Sequence, residues 1–108
     1  MAKFMWPGVY RVGGGVSAPR LMIHSRPEYT AEARAVRIEG TVELLAVIGD
    51  DGATYTIQVI KALGYGLDEK ATECVARWRF KPGLYQGKPV PVAATLAVNF
   101  GLEPLLLK

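Results

Sequence analysis

The chain has 108 residues, which is the length of one domain, and half of them are apolar, so a modest hydrophobic core is expected. The formal net charge of +3 comes from mixed charges, which allow contact with acidic partners without requiring it. The single cysteine, Cys74, excludes an internal disulfide and any multi-cysteine metal site. No apolar run reaches the roughly 18 residues of a membrane span, and the first ten residues lack the apolar core of a signal peptide, so we expect a soluble chain.

The first segment, residues 1–28, is predicted to be largely irregular because it is rich in glycine and proline. Within it, residues 1–15 are predicted to be a flexible lead-in. The triple glycine Gly13-Gly14-Gly15 lacks the lysine and hydroxyl residue of a phosphate-binding loop, so a linker is the expected role. A short extended piece is expected around residues 21–23.

The next segment, YTAEARAVRIEG, predicts a short helix. Thr30 is the expected N-cap, and Glu32 suits the positive end of the helix dipole. Gly40 is expected to stop the helix.

An antiparallel hairpin is predicted from the two strand-forming runs TVELLAVI and TYTIQVI, which flank the turn Asp51-Gly52. The first run alternates, and it places its most regular apolar face at Val42, Leu44, Ala46 and Ile48. In the second run, Tyr55, Ile57 and Val59 are expected to share one face. Asp50 and Asp51 are interpreted as turn formers, since too few further oxygen ligands lie nearby for a calcium loop.

A second, amphipathic helix is predicted over LDEKATECVARW. Its apolar stripe consists of Leu67, Ala71, Cys74, Val75 and Trp78. The stretch ARWRFKP at its end alternates cations with rings, a pattern that nucleic-acid grooves also use. Trp78 lies on the stripe and Phe80 returns to the same side in an extended exit, so we interpret both rings as structural anchors in the core. No strand supplies a second basic cluster, and nucleic acid is therefore not an expected partner.

A third strand is predicted in VPVAATLAVNF, where apolar residues alternate up to Phe100. A right-handed crossover through the second helix would place this strand beside the first one. The predicted fold is α+β and two-layered, with a three-stranded antiparallel sheet of order 2-1-3 and two helices on one face. The third strand would then be a free, regular edge, which invites an added strand.

These motifs resemble the C-terminal domain of the TonB energy-transducer family over about residues 16–101. The motifs that carry the resemblance are Gly40-x-Val42, the Asp51-Gly52 turn, Gly66-Leu67-Asp68, Trp78-Arg79-Phe80-Lys81-Pro82, and Gly87-Lys88-Pro89-Val90 before a strand ending in Phe100. The predicted organisation is a lead-in (1–15), this domain (16–101) and an apolar tail (102–108).

The resemblance implies a periplasmic domain that captures the box peptide of outer-membrane transporters by strand addition to its last strand. By position, the receiving edge would be Val92, Ala93, Ala94, Thr95, Leu96, Ala97, Val98 and Asn99. A receptor-contact segment would be Arg26, Pro27, Glu28 and Tyr29. Relatives tend to read Gln-Pro-x-Tyr-Pro there, so Pro27 and Tyr29 match while Arg26 and Thr30 depart. Inner-membrane motor proteins would be reached only through an N-terminal anchor and linker that this sequence does not contain.

Two alternatives to peptide capture follow from the residues. The chain could be a self-associating structural domain, in which the same edge pairs with a second copy to form a homodimer. An enzyme has little support, because the single histidine, His24, has no evident nucleophile beside it and Cys74 lies on the apolar stripe. We therefore predict no catalytic residue, no cofactor and no metal site.

Overall fold

The computed structural model describes residues 8–101, and its central feature is a four-stranded sheet. In chain order the elements are β1 (Tyr10–Arg11), β2 (Arg20–Ile23), α1 (Ala31–Val36), β3 (Gly40–Ile48), β4 (Thr54–Lys61), α2 (Leu67–Ala76), β5 (Arg79–Lys81), β6 (Gly83–Tyr85), β7 (Lys88–Val90) and β8 (Val92–Phe100). The main sheet has the order β1-β8-β3-β4, while β2 pairs with β5 and β6 pairs with β7. The predicted α+β class with two helices is confirmed.

The predicted three-stranded, wholly antiparallel sheet is wrong. β3 pairs antiparallel with both β4 and β8, but β1 adds a fourth strand that runs parallel to β8. This strand lies inside the segment that the glycine content predicted to be irregular. Two residues carry too little periodicity to indicate a strand, so the sequence alone could not show it.

The first helix begins where the sequence predicts and ends earlier. The Thr30 side-chain hydroxyl accepts a hydrogen bond from the Ala33 N–H at 3.1 Å, as an N-cap does. Arg37 then adopts a left-handed conformation with φ of 56° and ends the helix. The predicted stop, Gly40, instead opens β3.

The second helix is braced at its start by the Asp68 carboxylate, which accepts hydrogen bonds from the Leu63 and Gly64 N–H groups at 2.8 and 3.0 Å. Its predicted apolar stripe is buried along its whole length. The main core therefore lies between the helices and one face of the sheet. Its buried members are Ala33, Val42, Leu44, Ile48, Leu67, Ala71, Cys74, Val75, Trp78, Phe80, Val98 and Phe100.

A second, smaller cluster lies at the other end of β8. Val16, Val90 and Val92 are buried there, with Tyr10 and Tyr85 packed against them. The hairpin of β6 and β7 supports this cluster, and its turn residues Gln86 and Gly87 both have positive φ. The predicted apolar tail, residues 102–108, lies outside the described residues.

Candidate strand-addition edge

β8 is regular along its inner side, where it faces β3. Nine consecutive residue pairs join the two strands, from Gly40 opposite Phe100 to Ile48 opposite Val92, without a register shift. A strand that is paired without a bulge on one side keeps the alternation of its backbone groups regular on the other side as well. That outer side is the candidate site, and we call it the receiving edge (Val92–Asn99).

The structure corrects the prediction that the whole receiving edge is free. β1 covers its start, with Tyr10 opposite Val92 and Arg11 opposite Ala93. Among residues 8–101, the sheet neighbours of β8 are this two-residue strand and β3. The stretch from Thr95 to Asn99 therefore has no strand on its outer side within the described part of the chain.

The hydrogen bond between β1 and Pro91 identifies the backbone groups that face outward. The Tyr10 N–H donates to the Pro91 carbonyl oxygen at 2.9 Å, so Pro91 points its carbonyl away from β3. Backbone groups alternate in direction along a strand, so every second residue from Pro91 onward does the same. Ala93, Thr95, Ala97 and Asn99 are thus the residues that offer N–H and C=O groups to an added strand.

The side chains beside these groups are small or polar. Thr95, Ala97 and Asn99 are exposed, whereas Val98 and Phe100 are 2% and 3% exposed and belong to the core. The Asn99 side-chain oxygen accepts a hydrogen bond from the Thr41 hydroxyl at 2.7 Å. An approaching strand would therefore meet backbone rather than bulky side chains.

An apolar cavity of about 410 Å³ lies beside the first half of the receiving edge. On the β8 side it is lined by residues 93–96, and the opposite lining includes Val12, Ala18, Pro19 and Phe80. The cavity begins next to the point where β1 ends. Sequence reasoning missed it, because its walls come from segments that are far apart in the chain.

The receptor-contact segment meets the C-terminal end of β8. The Tyr29 ring packs edge-on against Phe100, with ring centroids 5.6 Å apart, and its hydroxyl donates to the Ile38 carbonyl oxygen at 2.8 Å. Partial loss of hydration raises the pKa of Tyr29, and the Glu39 carboxylate adds to this effect. The structure thus brings together Tyr29 and the end of the receiving edge, while Arg26 and Glu28 lie further toward the surface.

Further contacts hold the start of this segment. The carbonyl oxygen of Ser25 accepts from both the Trp78 Nε1–H at 3.2 Å and the Cys74 thiol at 3.0 Å. Trp78 and Phe80 are 9% and 8% exposed, and both belong to the main core. Trp78 therefore connects the core to the chain that leads into the receptor-contact segment. No sequence signal marks Ser25, because its contribution is a backbone carbonyl.

His24 and Asp51, which were considered for catalysis and for metal binding, each contact a neighbouring side chain. His24 lies at the surface and its ring lies edge-on to Trp78, with centroids 6.3 Å apart. The Asp51 carboxylate accepts from the Ala53 N–H and from the Tyr55 hydroxyl within its turn. Among residues 8–101, no three side chains of the His, Cys, Asp and Glu types are grouped to hold a metal ion. No helix within the same range has the length and apolar character needed to cross a membrane.

Together, the fold and the site define a two-layer α+β domain with a regular strand that is only partly covered on one side. The family profile described as "Gram-negative bacterial TonB protein C-terminal" matches residues 25–102. The chain belongs to the TonB C-terminal domain family.

Individual relatives agree with this assignment. The chain is 34% identical to the protein TonB of Escherichia coli K12 over 68 residues and 36% identical to that of Pseudomonas aeruginosa over 78 residues. These matches cover 62% and 71% of the chain but 28% and 23% of the relatives, so the chain spans about a quarter of their length. The solution NMR structure of the Pseudomonas aeruginosa TonB C-terminal domain superposes with a TM-score of 0.64 at 29% identity, covering 87% of this chain and 93% of that one.

Proposed function

We propose that this chain is the transporter-binding domain of a TonB-like energy transducer in the periplasm. It captures the box peptide of an outer-membrane transporter by strand addition to the receiving edge. The observation that carries the proposal is the outer side of β8 from Thr95 to Asn99, which is regular and pairs with no strand among residues 8–101. Family membership gives this edge its expected partner.

The interaction uses the backbone for affinity and a few side chains for selection. Thr95, Ala97 and Asn99 pair with the peptide main chain, and their small or polar side chains leave it room. Tyr29 packs against Phe100 at the C-terminal end of the strand, and the exposed Arg26 and Glu28, which precede it in the chain, contact the transporter. Coupling to inner-membrane motor proteins belongs to regions of a full-length transducer beyond this domain.

The experiment is a calorimetric titration with a synthetic box peptide from an outer-membrane transporter of the organism that encodes the chain. Two further peptides carry N-methyl groups on alternate residues, one on the odd set and one on the even set. Strand addition uses the N–H groups of only one set, so one methylated peptide should lose binding by about 10-fold or more while the other keeps most of it. Equal binding of both methylated peptides would overturn the proposal.

Two substitutions in the domain test strand addition without altering the peptide. Ala97→Pro removes an outward N–H without removing a donor to β3, and Ala97→Ser keeps that N–H at nearly the same side-chain size. We expect the proline variant to bind about 10-fold more weakly and the serine variant to bind like the parent chain. If the domain instead forms a homodimer through this edge, Ala97→Pro should shift the sedimentation of the free protein from dimer to monomer.

A further inference from the structure

The lead-in places one of its own strands on the site proposed for the peptide. β1 pairs with the first two residues of the receiving edge, and its Tyr10 N–H uses the Pro91 carbonyl oxygen. Val12, which follows β1, lines the cavity beside residues 93–96. A peptide that pairs along the whole edge therefore needs both the backbone groups of Ala93 and the space beside Val12.

Within the described residues, β1 is a short strand with limited burial. Its ladder is two residues long, and Arg11 and Val12 are exposed. Tyr10 packs against the smaller core cluster, and its ring lies against that of Tyr85, with centroids 5.3 Å apart. A short strand with one half-buried side chain is the kind of element that opens locally without unfolding the domain.

The chain immediately after β1 forms a glycine turn, and the residues after the turn are held by the smaller core cluster. Gly13, Gly14 and Gly15 have φ values of 110°, 60° and 95°, and reciprocal hydrogen bonds between Gly13 and Val16 close the turn. Val16 is 8% exposed in the smaller core cluster, and the Ser17 N–H donates to the Leu84 carbonyl oxygen at 3.0 Å. The glycine turn thus separates a weakly held strand from a firmly held anchor.

From this arrangement we infer that β1 is an autoinhibitory strand that competes with the incoming peptide for the start of the receiving edge. The inference rests on the proposed function. With β1 docked, a peptide reaches only the stretch from Thr95 to Asn99. With β1 released about the glycine turn, Ala93 and the cavity become part of the site, and binding tightens.

Two variants move the competition in opposite directions. Tyr10→Pro removes the N–H that bonds Pro91 and the ring that contacts Tyr85, so β1 should undock. The double variant Arg11→Cys with Ala93→Cys joins two residues that face each other in the ladder, so its oxidised form should hold β1 in place. The reduced form of the same protein is the matched control.

The readout is the affinity for the synthetic box peptide together with amide exchange of Ala93. We expect Tyr10→Pro to bind about 3-fold or more tightly than the parent, and the oxidised double variant to bind about 10-fold more weakly than its reduced form, because affinity scales with the fraction of open sites. The Ala93 amide should be protected in the free parent chain and lose protection in Tyr10→Pro.

Equal affinities in the oxidised and reduced forms, with peptide-induced shifts still present at Thr95 and Ala97, would overturn the autoinhibitory role and leave the proposed function intact. Absence of those shifts in every variant would overturn both. An Ala93 amide that exchanges freely in the parent chain would overturn the docked state of β1 without reference to any peptide.

Discussion

β4 and β8, the two strands that flank β3, differ in the regularity of their pairing with it. β4 shifts register against β3 at two places, and Thr56 within it has a φ of 51°. β8 pairs with β3 through nine residues without a shift. Exposed apolar side chains, Tyr55, Val59 and Ile60, lie on the irregular strand, whereas exposed β8 residues are small or polar. Bulges disrupt an edge as a template for pairing, so backbone regularity rather than hydrophobicity distinguishes the receiving edge.

The largest effect on stability is expected at Gly52, where the β3–β4 turn contacts Phe80 of β5. Gly52 has a φ of 84°, and a Cβ there would lie 2.1 Å from the Phe80 carbonyl oxygen. Gly52→Ala should lower the free energy of unfolding by about 3 kcal/mol or more, because both the backbone conformation and the contact oppose it. Urea denaturation measures this loss.

Gly87→Ala is the matched control for this variant. Gly87, on the β6–β7 turn, has a similar φ of 78°, but a Cβ there would meet open space, with no atom outside its chain neighbours within 4 Å. Gly87→Ala should lower the free energy of unfolding by about 1 kcal/mol, which is the conformational cost alone. Equal losses of stability in Gly52→Ala and Gly87→Ala would show that the β3–β4 turn is not in close contact with β5.

The next effect concerns the contact between Trp78 and Ser25, which holds the start of the receptor-contact segment. Trp78→Phe keeps a ring in the core but removes the Nε1–H that donates to the Ser25 carbonyl oxygen. We expect the free energy of unfolding to fall by about 1–2 kcal/mol, because the hydrogen bond is missing and the ring is smaller. Backbone chemical shifts of Arg26 and Glu28 should change while those of the β6–β7 turn stay in place; the reverse pattern would contradict the connection.

A smaller effect, of opposite sign, is expected at the bulge in β4. Thr56 is β-branched and has positive φ, which glycine adopts without strain. Thr56→Gly should therefore stabilise the domain by about 0.5–1 kcal/mol. Thr54→Gly, at a residue paired with Ile48 in regular strand, should instead destabilise it by a similar amount. A loss of stability at both positions would contradict the irregular geometry of β4.

The smallest effect is the pH dependence of the β3–β4 turn. The hydrogen bond from the Tyr55 hydroxyl is the main cause that lowers the pKa of Asp51. A carboxyl group with a lowered folded-state pKa stabilises the fold above its unfolded pKa, and this contribution is lost as the pH falls through the folded pKa.

Tyr55→Phe should raise the pKa of Asp51 toward its ordinary value. An NMR titration of the Asp51 carboxyl carbon in the parent chain and in Tyr55→Phe measures the change. An unchanged pKa of Asp51 would contradict the hydrogen bond.

Elements with strong periodicity were predictable from the sequence, and short elements were not. The apolar stripe from Leu67 to Trp78, the Thr30 N-cap and the β3–β4 hairpin each follow from local patterns, and the structure contains them. β1 depends on contacts between distant segments, as the pairing of Tyr10 with Val92 illustrates. The β6–β7 hairpin is local, but its strands of three residues are too short to show a periodicity. The place of β8 beside β3 followed from strand order. Its partial cover by β1 did not, because the cover is a tertiary contact of two residues.

The most direct test is an amide NMR titration of the full chain with the synthetic box peptide. We expect shift changes and new exchange protection at Thr95, Ala97 and Asn99, with the outer side of β4 unaffected. Changes confined to β4, or amides of Thr95 and Ala97 that are already protected in a dimer-sized free protein, would contradict it.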